Sequence, residues 1–365
     1  MKVLFVVRSF TYPLGGIEEV IYQLCEGLKK RNIKTEILTS NTYSTNLKDI
    51  KITRVPVIKL SGYYYSRKLI KELRDKKFDI LHVHGWGSYI IKSCIEYGHK
   101  TKKPVILTPH GFFHKKDFPR VVFKKLYNKL FLHELLSKTS ACIAFTSKQK
   151  EFLENNGAKE VKIIPNGINP KEFNKKFISF KKNFGIKEKF LLSVGRIEEY
   201  KGFQDLILAF SKIHERYSNL KLVIIGKDCG YLTDLINLTK KLKLQNKVIF
   251  TGNISRKLLL SAYKEAELYI SSSHYESFGI TLIEALASET PVISTDTGIA
   301  SDLPKEFCKI FKIKNTDELA KLIVSSLKEN WKEKIKRKSF KFIKENFSWE
   351  KIVDTHIKVY KELLN

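Results

Sequence analysis

Two glutamates, Glu276 and Glu284, stand eight positions apart in the stretch SSSHYESFGITLIEALASETPVI, residues 271–293. Glu276 falls in a tight polar turn, where a carboxylate can accept hydrogen bonds from two sugar hydroxyls. Glu284 falls about one turn into the predicted helix that follows, where a carboxylate can hold a vicinal diol such as ribose. Between them stand residues that offer N–H or O–H groups: Ser277, Phe278, Gly279 and Thr281. The stretch predicts a site for a polyhydroxylated ligand, although an isolated Glu pair at this spacing also arises by chance.

Two cations stand close together in SVGRIEEYKG, residues 193–202, at the end of a predicted strand. Arg196 and Lys201 are five positions apart around a predicted turn, just ahead of a predicted helix. The N-terminus of a helix favours anions, and two cations beside it can clamp a pyrophosphate. The alternative interpretation is a pair of solvated surface cations.

Gly15 and Gly16 follow the first predicted strand and open a helix. Because they lack side chains, a ligand can approach the backbone, and the helix N-terminus attracts phosphate. The pattern is not G-x-G-x-x-G, so the dinucleotide-binding fingerprint is absent. Taken alone, the pair also fits an ordinary turn.

His110 directly follows a predicted strand in the sequence TPHG. A histidine there can hydrogen-bond a sugar hydroxyl or stabilise charge in a transition state. His82 and His84 end the neighbouring predicted strand, and an H-x-H pair can chelate a metal. No carboxylate motif accompanies them, so we expect no metal. For each histidine the alternative is a packing or capping role.

These motifs each follow a predicted strand, and strands alternate with helices in both halves of the chain. Such alternation predicts two doubly wound parallel α/β sheets. The predicted organisation is an N-terminal domain over residues 1–170, a polar linker over 171–189, a C-terminal domain over 190–347 and a last helix over 348–365. Ligands of such sheets bind beyond the carboxyl ends of the strands, so we expect the site in the cleft between the domains.

The composition is that of a folded protein, with 43% hydrophobic and 29% charged residues in a chain of 365, long enough for two domains. The sequence contains no run of eighteen apolar residues, so no transmembrane helix is predicted. The N-terminus resembles a first strand rather than a signal peptide. The five cysteines are scattered without a C-x-x-C pair. This favours a reducing, cytoplasmic setting over a zinc site or a disulfide framework.

The net charge of +29 is uneven, because residues 1–190 hold 38 Lys and Arg against 16 Asp and Glu. Such a basic half indicates an anionic partner such as phosphates, anionic lipid or nucleic acid. In residues 112–138 basic and aromatic residues interleave on a predicted amphipathic helix, as in proteins that bind anionic membranes. We expect reversible docking on the inner face of the plasma membrane; the alternative is a core-facing helix with solvated lysines. No nucleic-acid-binding signature is present.

Taken in order, these motifs resemble those of the retaining glycosyltransferases of family 4, which have the two-domain GT-B fold. The resemblance covers nearly the whole chain, and the order of the motifs makes it more specific than any one of them. The matching motifs are GG at 15–16, DILHVH at 79–84, TPHG at 108–111, PNGI at 165–168, G-R-x4-K-G at 195–202, E-x7-E at 276–284 and SWEK at 348–351.

The resemblance implies transfer of a hexose-type sugar from a UDP-sugar or GDP-sugar to a glycan or to a polyprenyl- or glycerolipid-linked acceptor. It implies that Arg196 and Lys201 hold the diphosphate and that Glu284 holds the ribose. Glu276 and His110 are the implied catalytic residues at the donor sugar. The remaining donor-binding residues are predicted to be Gly15, Gly16, Ser277, Phe278, Gly279 and Thr281.

The family's mechanism is front-side transfer with retention, without a carboxylate nucleophile. No cofactor and no metal are implied, because the cations and a helix dipole neutralise the departing diphosphate. The N-terminal domain is implied to bind the acceptor, and the last helix to cross back to that domain.

The chain departs from the family's pattern after the last predicted strand. There TGIASD, residues 297–302, has one Gly and an Asp where the family often has a Gly pair and then Glu. The donor identity therefore stays open. A sugar-nucleotide epimerase or a phosphorylase on the same fold is an alternative, although no cofactor lysine for a phosphorylase can be identified. A basic nucleic-acid-binding protein is a more distant alternative.

Overall fold

The computed structural model describes residues 1–11, 15–43, 50–60, 63–111, 130–175 and 178–365. They form two compact units. The first unit comprises Met1–Gly167 and Trp349–Asn365, and the second comprises Ile168–Ser348. Each unit has its own parallel sheet with helices, so the predicted pair of doubly wound sheets is confirmed.

Strands and helices alternate through most of the described chain, except where β2 to β5 and α11 to α14 follow one another directly. The strands are β1 (Lys2–Val7), β2 (Lys34–Ser40), β3 (Lys51–Val55), β4 (Ile58–Leu60), β5 (Tyr63–Tyr65), β6 (Ile80–His84), β7 (Val105–Thr108), β8 (Ala141–Ala144), β9 (Val161–Ile163), β10 (Lys189–Val194), β11 (Leu220–Ile225), β12 (Val248–Gly252), β13 (Leu268–Ser271), β14 (Val292–Thr295) and β15 (Cys308–Phe311). The helices are α1 (Gly16–Lys29), α2 (Leu69–Asp75), α3 (Tyr89–Lys100), α4 (130–137), α5 (Ser147–Asn155), α6 (Phe180–Asn183), α7 (Phe203–Ser211), α8 (Leu232–Lys241), α9 (Arg256–Glu265), α10 (Ile280–Ala287), α11 (Thr316–Lys328), α12 (Trp331–Ile335), α13 (Lys338–Phe347) and α14 (Trp349–Glu362).

The sheet of the first unit has seven parallel strands in the order β3-β2-β1-β6-β7-β8-β9. Its central strand β1 is apolar at successive positions because the sheet is covered on both faces. Leu4 and Val6 pack into one buried cluster together with residues of α3, whereas Val3 and Phe5 pack into a second cluster with α1 and α14. The last helix of the chain therefore forms part of the first unit's core.

The sheet of the second unit has six parallel strands in the order β12-β11-β10-β13-β14-β15. The chain reverses its direction across the sheet between β10 and β13, which pair in parallel. The carboxyl ends of these two strands are Val194 and Ser271. Open α/β sheets bind ligands at such a switch point, so a ligand site of this unit is expected beside Val194 and Ser271.

Several local expectations differ from the structure. The sequence of residues 331–346 predicts a single helix, but in the structure this helix is interrupted between α12 and α13, where Arg337 has a φ of 64°. The expected linker 171–189 lies within the second unit and contains α6, whose Phe180 is fully buried. Phe180 N–H bonds the Oγ of Ser261 at 3.0 Å, which ties this segment to α9.

The basic and aromatic stretch 112–138 falls largely outside the described residues, of which only 130–138 belong to it. Residues 130–137 of this stretch are helical. In the described part of the chain, no helix combines the length and the apolar composition needed to cross a membrane.

Candidate functional site

Two loops extend from the strands on either side of the switch point of the second unit. Loop A, residues 195–202, follows β10 and precedes α7, and loop B, residues 272–279, follows β13 and precedes α10. Loop A carries the predicted diphosphate-binding cations, and loop B carries Glu276. Because both loops leave the carboxyl ends of neighbouring strands, Lys201 of loop A and Glu276 of loop B come into contact there.

Loops A and B are joined through their backbones. The N–H of His274 donates to the carbonyl oxygen of Tyr200 at 2.7 Å, and Ser272 Oγ donates to the carbonyl oxygen of Lys201 at 3.3 Å. Gly202 ends loop A with a φ of +66°, and a Cβ there would overlap the carbonyl oxygen of Ser272. A glycine is therefore required at this position both for backbone conformation and for close approach.

Lys201 of loop A and Glu276 of loop B form an ion pair, with 2.6 Å between Nζ and Oε1. Their side chains are only 15% and 17% exposed. The sequence had predicted separate roles for these residues, one at the diphosphate and one at the sugar. The structure brings them into direct contact, so each charge is balanced by the other within the pair.

Arg196 is held by residues of its own loop. Its Nη1 lies 3.2 Å from Glu198 Oε1, and its Nη2 donates to the Tyr200 hydroxyl at 2.9 Å. The side chain of Glu198 is 3% exposed, whereas that of Arg196 is 62% exposed. Glu198 and Tyr200 thus orient the guanidinium while it stays open to solvent, which suits a cation that binds an anionic ligand.

Two glycines shape the turn of loop B. Gly279 has a φ of +88° and directly precedes α10. Gly298 has a φ of +57°, and a Cβ there would overlap the carbonyl oxygen of Phe278, which also accepts from the N–H of Ile299 at 2.8 Å. The single glycine of TGIASD is therefore the one at the close contact with loop B.

The side chains around this turn differ in exposure. Phe278 is buried, whereas Ser277 and Thr281 are half-buried. The Thr281 side chain is hydrogen-bonded to Tyr269, whose hydroxyl also donates to the carbonyl oxygen of Val194 at 3.3 Å. Thr281 therefore helps to join α10 to the strands at the switch point.

Glu284, inside α10, is 8% exposed and both of its carboxylate oxygens have protein partners. Arg256 Nη1 donates to Oε1, and the hydroxyl of Tyr263 donates to Oε2 at 3.0 Å. Burial raises the pKa of Tyr263 well above its usual range, so this phenol remains a donor. Arg256 also pairs with Glu172, at 3.3 Å. Each carboxylate oxygen of Glu284 can still accept a second hydrogen bond.

The sequence does not predict four residues that position this site. They are Tyr200, Asp205, Arg256 and Tyr263. His274 Nε2 lies 2.7 Å from Asp205 Oδ2, and this contact joins loop B to α7. His274 lies in the stretch 271–293, two positions before Glu276, so the sequence alone places it near that residue. The sequence does not place the partners on α7 and α9 there, because only the packing of those helices brings them to the site.

Gly15 and Gly16 lie in the first unit, at the start of α1. A Cβ on Gly16 would meet nothing within 4 Å, whereas one on Gly15 would lie 2.6 Å from Glu18 Oε2. Glu18 and Glu19 occupy the first turn of the helix, where they complement its positive end. The backbone is open at Gly16, but the Glu18 carboxylate lies beside Gly15, and the Glu19 carboxylate accepts a hydrogen bond from Gln23.

His110 also lies in the first unit, where its backbone has the left-handed φ of 58°. Its Nε2 lies 2.8 Å from Nδ1 of His84, and its ring packs edge-on against Phe145 at 5.0 Å. His110 is half-buried, and desolvation of its ring lowers its pKa to about 3, so the ring is neutral at neutral pH.

His82 and His84 lie on the same face of β6, with their ring centroids 4.2 Å apart, as a regular strand predicts. Both are buried. His82 is bonded through Nδ1 to the Tyr360 hydroxyl and through Nε2 to Thr108 Oγ1, each at 2.8 Å. Among the described residues, no group of three or more His, Cys, Asp or Glu side chains is arranged to hold a metal ion.

Two family models match successive parts of the chain. The model described as Glycosyltransferase Family 4 matches residues 14–172, and the model described as Glycosyl transferases group 1 matches residues 174–347. An uncharacterized glycosyltransferase of Methanocaldococcus jannaschii is 28% identical over 99% of this chain and 98% of its own length. The alpha-monoglucosyldiacylglycerol synthase of Streptococcus pneumoniae is 28% identical over 80% of this chain and 71% of its own length.

Solved glycosyltransferase structures superpose on the whole chain. The sucrose-phosphate synthase of Thermosynechococcus elongatus aligns with a TM-score of 0.78 at 19% identity, covering 99% of this chain and 98% of that one. The Anabaena protein HepE, in complex with UDP-glucose, aligns with a TM-score of 0.76 at 17% identity, covering 99% of this chain and 100% of that one.

Proposed function

The chain belongs to glycosyltransferase family 4 and has the GT-B fold, and on this premise we propose that it is a retaining hexosyltransferase that uses a nucleoside-diphosphate sugar. The proposed acceptor is a glycan or a polyprenyl- or glycerolipid-linked molecule. The observation that carries the donor part of the proposal is the Lys201–Glu276 pair, held between loops A and B at the switch point of the second unit.

Lys201 and Arg196 are the proposed ligands of the diphosphate. Arg196 is exposed and already oriented by Glu198 and Tyr200, so it can bind phosphate oxygens with little reorganisation. Lys201 is a compact cation on a flexible stem, and it can exchange part of its contact with Glu276 for a phosphate oxygen. Glu276 is then available to accept hydrogen bonds from hydroxyls of the donor sugar.

Glu284 is the proposed ribose ligand. Arg256 and Tyr263 fix its carboxylate from the protein side and thereby preorganise it. A vicinal diol would bind through the acceptor positions of the two oxygens that the protein leaves unused. This arrangement differs from a solvated chelating carboxylate, because the orientation of Glu284 is set before the donor arrives.

Metal-independent transfer is proposed from the charges at the site, and retention is proposed from the resemblance to family 4. Two cations at the predicted diphosphate position can neutralise the charge that develops on the leaving group. Glu276, paired with Lys201, is proposed as a sugar ligand rather than a nucleophile. A transfer assay in excess EDTA, with product anomers assigned by NMR, tests both points: loss of transfer in EDTA or an inverted product would contradict them.

The first unit is the proposed acceptor-binding unit, with His110 at the donor sugar. The name of the S. pneumoniae relative, a monoglucosyldiacylglycerol synthase, supports a lipid-linked acceptor. Peripheral attachment to an anionic membrane through residues 112–138 remains part of the proposal. Sedimentation with anionic and with neutral vesicles tests it, and equal recovery with both would contradict it.

A thermal-shift panel of UDP-, GDP- and ADP-sugars identifies the donor, since a ligand that binds the folded state raises the melting temperature. The bound UDP-glucose in the HepE structure makes UDP-hexoses the first candidates. We expect one nucleotide class to raise the melting temperature of the wild type and of Lys240→Ala, which alters an exposed lysine of α8. The same ligand is expected to produce a smaller shift with Lys201→Ala. No shift with any sugar nucleotide would contradict the proposal.

A further inference from the structure

The two ring nitrogens of His84 differ in their partners. Nδ1 lies 2.8 Å from Nε2 of His110. Nε2 is buried and has no hydrogen-bond partner among the residues that the structure describes. The rings of His82 and Phe5 both pack against the ring of His84, with centroid distances of 4.2 and 5.6 Å. This asymmetry decides which nitrogen of each ring carries the proton.

Only two proton arrangements allow a hydrogen bond between the two neutral rings. If His110 donated from Nε2, His84 would carry its own proton on Nε2, where a buried N–H would point at no acceptor. If His84 donates from Nδ1, only a nitrogen lone pair is left unpaired. Buried N–H groups without acceptors are rarer in folded proteins than buried acceptors without donors. The second arrangement is therefore favoured.

The backbone supports this contact. The left-handed φ of His110 is followed by a φ of 137° at Gly111, and the chain turns sharply just after β7. A non-glycine residue in this region is strained, and such strain persists where surrounding contacts hold it. The hydrogen bond to β6 is one contact that holds the His110 ring in place.

We propose that His84 is a positioning residue that holds His110 in the Nδ1–H tautomer and so makes His110 a hydrogen-bond donor toward the donor substrate. In this state Nε2 of His110 accepts the hydrogen bond from Nδ1–H of His84. The Nδ1–H group of His110 is then the one that can donate to a substrate. A donor suits a sugar hydroxyl oxygen or the negative charge that develops on the leaving group. It does not suit the removal of a proton from the acceptor hydroxyl.

The substrate part of this inference rests on the proposed function, whereas the tautomer is a property of the first unit alone. Long-range proton–nitrogen NMR of the full chain with ¹⁵N-labelled histidine reads the tautomer directly at pH 7.5. His110→Gln and His84→Asn assign the two sets of signals. We expect the Nδ1–H pattern for both rings, and an Nε2–H pattern for His110 would overturn the inference.

Two substitutions separate positioning from packing. His84→Asn keeps an amide donor near the place of Nδ1, whereas His84→Ala removes it. We expect His84→Ala to shift His110 toward the Nε2–H tautomer and to lower kcat about tenfold with KM nearly unchanged. We expect His84→Asn to keep the wild-type tautomer and most of the turnover.

Equal loss of turnover in both variants, with the His110 tautomer unchanged, would overturn the inference by assigning His84 a packing role. Failure of the proposed function is distinguishable. In that case no sugar nucleotide binds the wild type, while the NMR pattern of His110 still decides whether His84 sets its tautomer.

Discussion

Lys201 Nζ lies 2.6 Å from Glu276 Oε1, although 75 positions separate the two residues in the chain. The contact joins the loops that leave β10 and β13, the strands at which the second sheet changes direction. Both side chains are largely buried, so neither charge is well solvated when the other is removed. The two charges are therefore energetically coupled at the junction of loops A and B.

The first prediction concerns that coupling. In a double-mutant cycle of Lys201→Met and Glu276→Gln, urea unfolding without ligand should give a coupling energy of about 1–2 kcal/mol. With saturating donor the apparent coupling should fall, because Lys201 exchanges part of this contact for phosphate. An equal coupling energy in both conditions would show that the pair does not rearrange on binding.

The second prediction assigns Glu284 to the ribose. Glu284→Gln should raise the donor Kd roughly tenfold and should remove most of the preference for the donor over its 2′-deoxyribose analogue. Isothermal titration with both ligands measures this. Glu345→Gln, on an exposed position of α13, is the matched control and should keep the wild-type preference. If Glu284→Gln prefers the donor over the 2′-deoxyribose analogue as strongly as the wild type does, Glu284 does not bind the ribose.

The third prediction concerns the junction of loops A and B. Gly202→Ala should destabilise the protein by about 2–4 kcal/mol, because the new methyl group overlaps the Ser272 carbonyl oxygen. Gly185→Ala is the matched control, since Gly185 has nearly the same φ, +64°, and open space around it. It should cost only about 1 kcal/mol, the strain of the left-handed backbone. Similar urea midpoints for the two variants would contradict the close approach.

The fourth prediction is a pH dependence of stability. Burial lowers the pKa of His110 to about 3 and that of His356 to about 4, from an ordinary value of 6.5. The unfolded chain therefore binds protons below about pH 6.5 that the folded chain does not bind. The contribution of these histidines to the free energy of unfolding is fully present above that pH. It is lost as the pH falls, by up to about 1.4 kcal/mol per pH unit for each such histidine.

Urea unfolding at several values between pH 8 and pH 5 measures this effect. His356→Gln should make the decrease shallower, whereas His99→Gln, on an exposed position of α3, should leave it unchanged. A midpoint that does not depend on pH in the wild type would contradict the burial of neutral histidines.

Much of the fold could be predicted because buried parallel strands carry continuous apolar runs. The run VLFVV of β1 is of this kind, and β10 contains the shorter run FLL. The edge strand β15 was missed, since its sequence CKIF is short and its middle residues are only partly buried. Segment 171–189 was predicted to be a linker because it is polar, but the burial of Phe180 against α9 depends on tertiary packing.

The sequence suggests the residues of the candidate site but not their contacts. Loop motifs pointed to Lys201 and Glu276, because each stands in a loop that follows a strand, and Glu284 followed from its place in the helix after the second loop. Their partners depend on which strands are neighbours and which helices pack together. Arg256 and Tyr263 on α9 reach Glu284 only because α9 packs against α10. No local pattern in the α9 sequence distinguishes these two residues from others on a helix.

The most direct test of the donor site is the dissociation constant of the best-binding sugar nucleotide, measured by isothermal titration for the wild type, Lys201→Ala and Lys240→Ala. We predict that Lys201→Ala raises Kd at least about tenfold, which corresponds to about 1.4 kcal/mol, because a charge-assisted contact with the diphosphate is lost. Lys240→Ala should stay within about twofold of the wild type. Equal affinities for Lys201→Ala and the wild type would contradict the assignment of the nucleotide-sugar to loops A and B.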